Sequence, residues 1–484
     1  MAQKGFTRKF RPLKILSEED RKAIHRGILD ILENTGIRFE SQKALELFEV
    51  SGCKVNFDKM LVKFPPGLVE KSLIMVPSSF RMKSRDPKDD LIIGGDTLYF
   101  EGSVGQDFID LETLERRPAT LEENNDGVKV LDYLENIHSL LSYCPYMNIK
   151  DIPPVLLLTK SSESRFRYST KIGRTAHSNG SEQFDIKMAY ATNQYVTIAM
   201  EPSPPLTWGE DAINSGYRGC ETPFPIRFSN GDIMGATSPA SIAGSLVTAI
   251  AEIVSGIVMI NLLKPGKEIL VTNFVFPMEM VYGQPDFNSI SSSLHTAAFN
   301  QYFRSFNIPI VNGAGQFSLA KNIGYQIGSE KALSLIISAL SGANIIVVAG
   351  GFYAELTWSP VLAVLDNDLA GAVGHFIEGI NVSDETLALD IINKVGPIPG
   401  LFLGEESTRR WWEKEFYVPK VMDRLAYDVW KKQGKKSEID NAKEKVKEII
   451  RTHKVSVPLT EEQNRELDNI YDEAKRYYEQ KGLL

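Results

Sequence analysis

The chain has 484 residues with 54 basic and 62 acidic side chains, a net charge of −8, and 43% apolar residues. This composition supplies a large core, in one big domain with extensions or two to three smaller ones, and its acidic balance argues against a surface built to neutralise nucleic-acid phosphates. Cys53, Cys144 and Cys220 show neither disulfide nor zinc-knuckle spacing, which fits a reducing cytoplasm.

In chain order, the basic residues between 4 and 14 are followed by acidic Glu18, Glu19 and Asp20 where a signal peptide would need its apolar core, so a cytoplasmic protein is expected. Residues 18–34 have a helical pattern, with shorter helical pieces at 41–50 and 66–71, and residues 1–90 read as a mainly helical N-terminal cap. From about residue 91 the texture changes. Short β-branched or apolar runs occur at 98–101, 138–143, 172–177, 195–200, 225–230, 269–272, 309–312 and 345–349. Helix-length segments lie between and after them, at 120–133, 183–191, 208–217, 238–263, 289–306, 325–340 and 362–379. Eight strands alternating with helices predict an α/β fold, a (β/α)8 TIM barrel over 91–395. A doubly wound open sheet is the structural alternative, but residues 102–105 match the glycine-rich phosphate turn too weakly to support it.

The segment 239–263 is long and apolar enough to cross a bilayer. It also holds Glu252, Asn261 and several serines, and is expected as a helix buried between the sheet and neighbouring subunits. Residues 396–484 read as a C-terminal helical extension whose helices carry charges of alternating sign on solvated faces.

Barrel enzymes gather function at the C-terminal ends of their strands. Sampling those points yields Glu101, Gly102 and Gly105; Tyr143, Cys144 and Tyr146; His177 and Asn179; Glu201; Asn230 and Asp232; Asn273, Phe274 and Phe276; Asn312 and Gln316; and Phe352, Tyr353, Glu355 and Trp358. His177 is a candidate base or ligand, or equally a hydrogen-bonded histidine at a strand end. No zinc-protease, paired-histidine or nucleophile-elbow motif occurs, and no metal site is expected. Rings around a cavity suit a quaternary ammonium group, each contributing roughly 0.5–2 kcal/mol of cation–π attraction, with Glu201 or Glu355 as countercharge. Such rings are otherwise core, and Glu355 a helix cap or a surface partner for lysine.

The run at 110–120 (DLETLERRPAT), the segment 269–277, Tyr325 with Glu330 and Lys331 followed by 340–344 (LSGAN), and 384–390 (DETLALD) with 395–397 occur in one order. On these segments the chain resembles the trimethylamine methyltransferase family over nearly its whole length. The resemblance implies a (β/α)8 barrel that moves a methyl group from a methylated amine to Co(I) of cobalamin, a corrinoid carried by a separate partner protein. Archaeal trimethylamine enzymes carry pyrrolysine near the end of the seventh strand. This chain has only standard residues there, NGAGQFS at 312–318. The resemblance therefore points to the branch without pyrrolysine, which acts on quaternary amines such as glycine betaine.

On this reading Phe352, Tyr353, Trp358 and Phe274 wall the cation, with Glu201 and Glu355 beside it. His177, Asn230, Asn273, Asn312 and Gln316 meet the rest of the substrate. Arg174, Arg227, His177 and the amides Asn230, Asn273 and Asn312 are the candidates for its carboxylate, the two arginines alternatively pointing outward into helix pairing. Gly102, Gly105, Gly350 and Gly351 would let the corrinoid approach the backbone, or simply make tight turns. A homo-oligomer is expected from the apolar helix and the Trp411–Trp412 pair. A non-catalytic quaternary-amine binder and a barrel hydrolase of small amides stand beside this reading.

Overall fold

The computed structural model describes residues 5–313 and 317–484. Eight parallel strands form the wall: β1 (Thr97–Gly102), β2 (Ser139–Leu140), β3 (Ile172–Arg174), β4 (Val196–Met200), β5 (Ile226–Ser229), β6 (Ile269–Asn273), β7 (Ile310–Asn312) and β8 (Ile345–Ala349). They pair in sequence order, and β8 pairs with β1 to close the ring. The fold is thus the closed (β/α)8 barrel expected from the eight apolar runs. The runs are continuous rather than alternating because both faces of a parallel barrel wall are covered.

The helices after the strands are α1 (Leu121–Tyr133), α2 (Leu157–Tyr168), α3 (Glu182–Thr192), α4 (Glu210–Cys220), α5 (Ile242–Leu263), α6 (Ile290–Arg304), α7 (Tyr325–Ser341) and α8 (Pro360–Ile377). Local chemistry starts several of them. Thr120 and Glu123 form a reciprocal capping box at α1, and Pro360 occupies the first turn of α8. The apolar α5 is the one helix among the described residues long and apolar enough to span a membrane, and it is buried within this chain. Its outer side is covered by the helices Glu18–Asp30 and Pro66–Ile74, with Gly27 against Val247. The chain's own N-terminal segment, not a neighbouring subunit, supplies that cover.

The N-terminal segment also contains strands. Ile37–Phe39, Lys54–Asn56 and Leu61–Lys63 form a small sheet that Thr207–Trp208, from the loop after β4, joins. The Trp208 ring lies 6.3 Å from Phe39 and 5.8 Å from Phe228, tying this layer to β5. At the C-terminal end, Glu438–Thr452 packs on α8, and Glu461–Gln480 packs on α3, burying Leu467, Ile470, Ala474 and Tyr478. The inward faces of these helices are apolar and their outward faces carry the alternating charges.

A second sheet roofs one side of the barrel mouth. Gly351–Phe352 turns back as Thr357–Trp358, which runs beside Asp107–Ile109, itself paired with Arg116–Arg117. The segment after β8 is therefore a hairpin in this lid sheet, with residues 353–356 at its tip.

Candidate active site

A cavity of about 340 Å³ opens at the C-terminal ends of the strands. The barrel interior beneath it is ionic. From β5, Arg227 reaches inward and donates to both Glu101 oxygens of β1, at 2.9 and 2.7 Å, and to the Thr272 hydroxyl at 3.0 Å. The Ser139 hydroxyl of β2 adds a bond to Glu101 at 3.1 Å. Both members of the pair are almost wholly buried, so the cost of desolvating two charges is offset only because the carboxylate and the guanidinium are also hydrogen-bonded.

One level higher, Arg174 at the end of β3 donates to Glu201 after β4 and to the Ser229 hydroxyl at 3.1 Å. His177 Nε2 lies 3.6 Å from Glu201. Burial pushes the Glu201 carboxyl up, but Arg174, His177 and Arg227 outweigh it and hold Glu201 below the usual value. Burial, which Glu201 only partly opposes, lowers His177. Asn230 accepts from the Phe274 N–H at 2.8 Å, fixing the turn that puts the Phe274 ring on the cavity. Arg174 Nε, His177 Nε2 and Asn230 Nδ2 are buried in this wall without hydrogen-bond partners among the described residues.

Across the barrel, Glu355 lines the cavity from the tip of the lid hairpin. Tyr353, Ala354 and Glu355 all have left-handed backbone, with φ of 52°, 53° and 65°. Non-glycine residues adopt this conformation at a cost of roughly 1–2 kcal/mol each. The turn is held by Ala354 N–H to Ser318 O at 2.9 Å and by Gln106 N–H to Glu355 O at 2.7 Å. Burial and the nearby Glu201 push the Glu355 carboxyl up to about 7. Tyr143, whose phenol burial pushes up to about 12, and Met147 add lining from the β2 loop.

Of the residues expected at the site, Tyr143, Arg174, His177, Glu201, Arg227, Asn230, Phe274 and Glu355 therefore come together on one cavity. The others lie elsewhere. The Trp358 ring packs inside the wall, donates from Nε1 to the Ala349 carbonyl at 3.0 Å and meets Tyr146 edge-on. Phe352 is buried with Ile109, Ile327 and Leu362. The lid hairpin aims both rings into packing layers, so they do not wall the cavity. Tyr353 faces outward, with Arg116 and Lys321 each 5.2 Å from its ring centre. Asn273 donates to Thr296 at 2.8 Å, and Asn312 exchanges bonds with Asn300 at 2.8 and 2.9 Å; both point toward α6. Gln316 lies outside the described residues.

The four glycines serve close packing of the protein on itself. A Cβ at Gly105 would lie 2.2 Å from the Thr357 backbone, one at Gly350 2.2 Å from Trp358 Nε1, one at Gly351 2.4 Å from Ser103 Oγ and one at Gly102 3.0 Å from Leu140. No open face is left at them for a corrinoid. Arg174 and Arg227, by contrast, point into the barrel. The signal that finds Arg227 is its position two residues before Ser229 on a strand whose alternate residues, Ile226 and Phe228, pack outward. Among the described residues no group of three His, Cys, Asp or Glu side chains is arranged to hold a metal ion.

A charged cavity at the strand ends of a closed barrel is where barrel enzymes carry their active sites. The family described as trimethylamine methyltransferase (MTTB) matches residues 1–478, and the chain belongs to that family: it is a methyltransferase. The glycine betaine methyltransferase of Desulfitobacterium hafniense strain Y51 is 28% identical over 430 residues, 87% of this chain and 88% of the relative. The trimethylamine methyltransferase MttB of Methanosarcina thermophila is also 28% identical, over 92% of this chain and 94% of the relative. Among solved structures, the Methanosarcina barkeri monomethylamine methyltransferase MtmB shares the fold, with a TM-score of 0.50 at 12% identity over 96% of this chain and 93% of that one.

Proposed function

We propose that the enzyme transfers a methyl group from a quaternary amine bearing a carboxylate, of the glycine betaine type, to Co(I) of a separate corrinoid protein that docks over the strand ends. The observation that carries this reading is the polarity of the cavity. Arg174, His177 and Asn230 line the cavity from the ends of strands three and five, with Glu201 after strand four held by Arg174, and Glu355 lines it from the hairpin that follows strand eight. A betaine has the matching halves, a carboxylate for the donor wall and an ammonium for Glu355. Unpartnered buried N–H groups cost roughly 1–3 kcal/mol each, and a carboxylate at that wall would recover part of this.

The chemistry asks little else of the protein. Attack on a methyl of a quaternary nitrogen expels a neutral tertiary amine, so the leaving group needs no proton. What remains is to hold one N–CH3 in line with the acceptor and keep water out. Phe274, Tyr143, Met147 and Val347 supply the apolar part of that enclosure. The test is to mix the purified chain with a Co(I) corrinoid protein and a panel of betaines, carnitine and trimethylamine. Loss of the Co(I) absorbance with a carboxylated quaternary amine is the expected result. No change with any member, or a change with trimethylamine alone, would sink the proposal.

A further inference from the structure

The charged groups at the cavity are unequally partnered. Arg227 is matched by Glu101, and Arg174 by Glu201. Burial favours the uncharged forms of His177 and Tyr143. Arg116 and Lys321 stand outside, over the Tyr353 ring. Glu355 alone has no basic partner: no hydrogen bond or ion pair reaches its carboxyl among the described residues, and the charge it feels from across the cavity is that of Glu201. The left-handed tip of the lid nevertheless holds it over the cavity.

We propose, resting on the amine reading above, that Glu355 is the adjustable countercharge of the site, releasing a proton to solvent when a cationic amine binds and recovering one when methyl transfer removes the charge. On binding, the Glu355 O–H bond breaks and its proton leaves, so that a carboxylate meets the ammonium. When the N–CH3 bond breaks, the methyl goes to the acceptor and the electron pair stays on nitrogen. The carboxylate and the tertiary amine together then take up one proton from solvent. A permanently ionised carboxylate would stabilise the cationic ground state more than a transition state in which that charge fades. A carboxylate that must first lose a proton gives up part of that stabilisation, and so opposes the transfer less.

Tetramethylammonium chloride is a suitable probe, titrated calorimetrically into the whole enzyme in buffers of different ionisation enthalpy. Since Glu355 titrates at about 7, binding at pH 7 should release about half a proton per cation. Affinity should rise from pH 6 to pH 8, by at most about tenfold per unit below that value. Glu355→Gln should abolish the release and flatten the profile. Binding by the wild-type enzyme with no proton release overturns the inference whatever the variant does, and so does release that survives in Glu355→Gln. Failure to bind either tetramethylammonium or glycine betaine overturns it as well. Proton-linked binding without methyl transfer to any corrinoid acceptor would support the role of Glu355 and overturn the transfer reading alone.

Discussion

Arg227 shows what single residues contribute and how far they can be read. Its guanidinium is buried with Glu101 at the base of the cavity, and removing one member strands the other charge in a medium that cannot solvate it. Arg227→Met should therefore destabilise the protein by roughly 3–5 kcal/mol, read as a fall in the urea midpoint. Adding Glu101→Gln should recover much of the loss. A single variant as stable as wild type would mean that solvent reaches the pair. Strand five alternates apolar Ile226 and Phe228 with polar Arg227 and Ser229, but alternation alone does not say which set faces the lumen. The same ambiguity explains Asn273 and Asn312. Thr272 faces the cavity, so its neighbour Asn273 faces the helices, and Asn312 follows because it is in register with Asn273. His177 lies three residues beyond the end of β3, where strand parity no longer holds; its place at the cavity is set by the loop.

At the scale of elements, the eight strands were legible because β-branched runs bounded by polar segments have few alternative structures. The lid hairpin was not. The two glycines after β8 read as a corrinoid approach or a tight turn out of the strand, with no hairpin expected; Gly350 has φ of +92° and lies against Trp358 in the return. Gly350→Ala should cost at least 1–3 kcal/mol, from backbone strain and overpacking, measured by thermal unfolding. If Gly350 served corrinoid approach instead, stability would be unchanged and only transfer would suffer. On α5, Glu252 faces Asp232 from the loop after β5; burial raises both carboxyls, and their proximity raises Glu252 further. A raised folded value means that the native state holds a proton that the unfolded chain has already released. The stability from this pair is therefore full below the ordinary carboxylate range and is lost as pH rises through the raised values. The melting temperature should fall between pH 6 and pH 9, and Glu252→Gln should flatten the fall. An unchanged slope would assign the effect to other groups.

For the whole molecule, the barrel and its C-terminal helices bury their apolar faces within one chain, but residues 380–430 do not. The helices Asp384–Leu387, Leu389–Val395, Glu406–Glu415 and Tyr427–Lys432 contain no buried residue. The same stretch exposes Ile398 at 95%, Ile380 at 83% and Leu403 at 78%, with Val382, Leu389 and Leu401 beside them in sequence. Helices this short are marginal in water by themselves, and apolar surface on this scale marks a contact rather than a free face. The expectation of a homo-oligomer thus loses its α5 support, which the chain covers itself, and rests on this segment, which holds the Trp411–Trp412 pair. Closed symmetric assembly is the common arrangement for such enzymes, and a second copy is the occupant to test first. Sedimentation velocity at micromolar concentration should give a species larger than the 54.1 kDa chain. Ile398→Glu with Leu403→Glu should shift it to the monomer while the far-ultraviolet circular dichroism of the barrel persists. A wild-type monomer would refute self-association through this surface, and association that survives both substitutions would place the interface elsewhere.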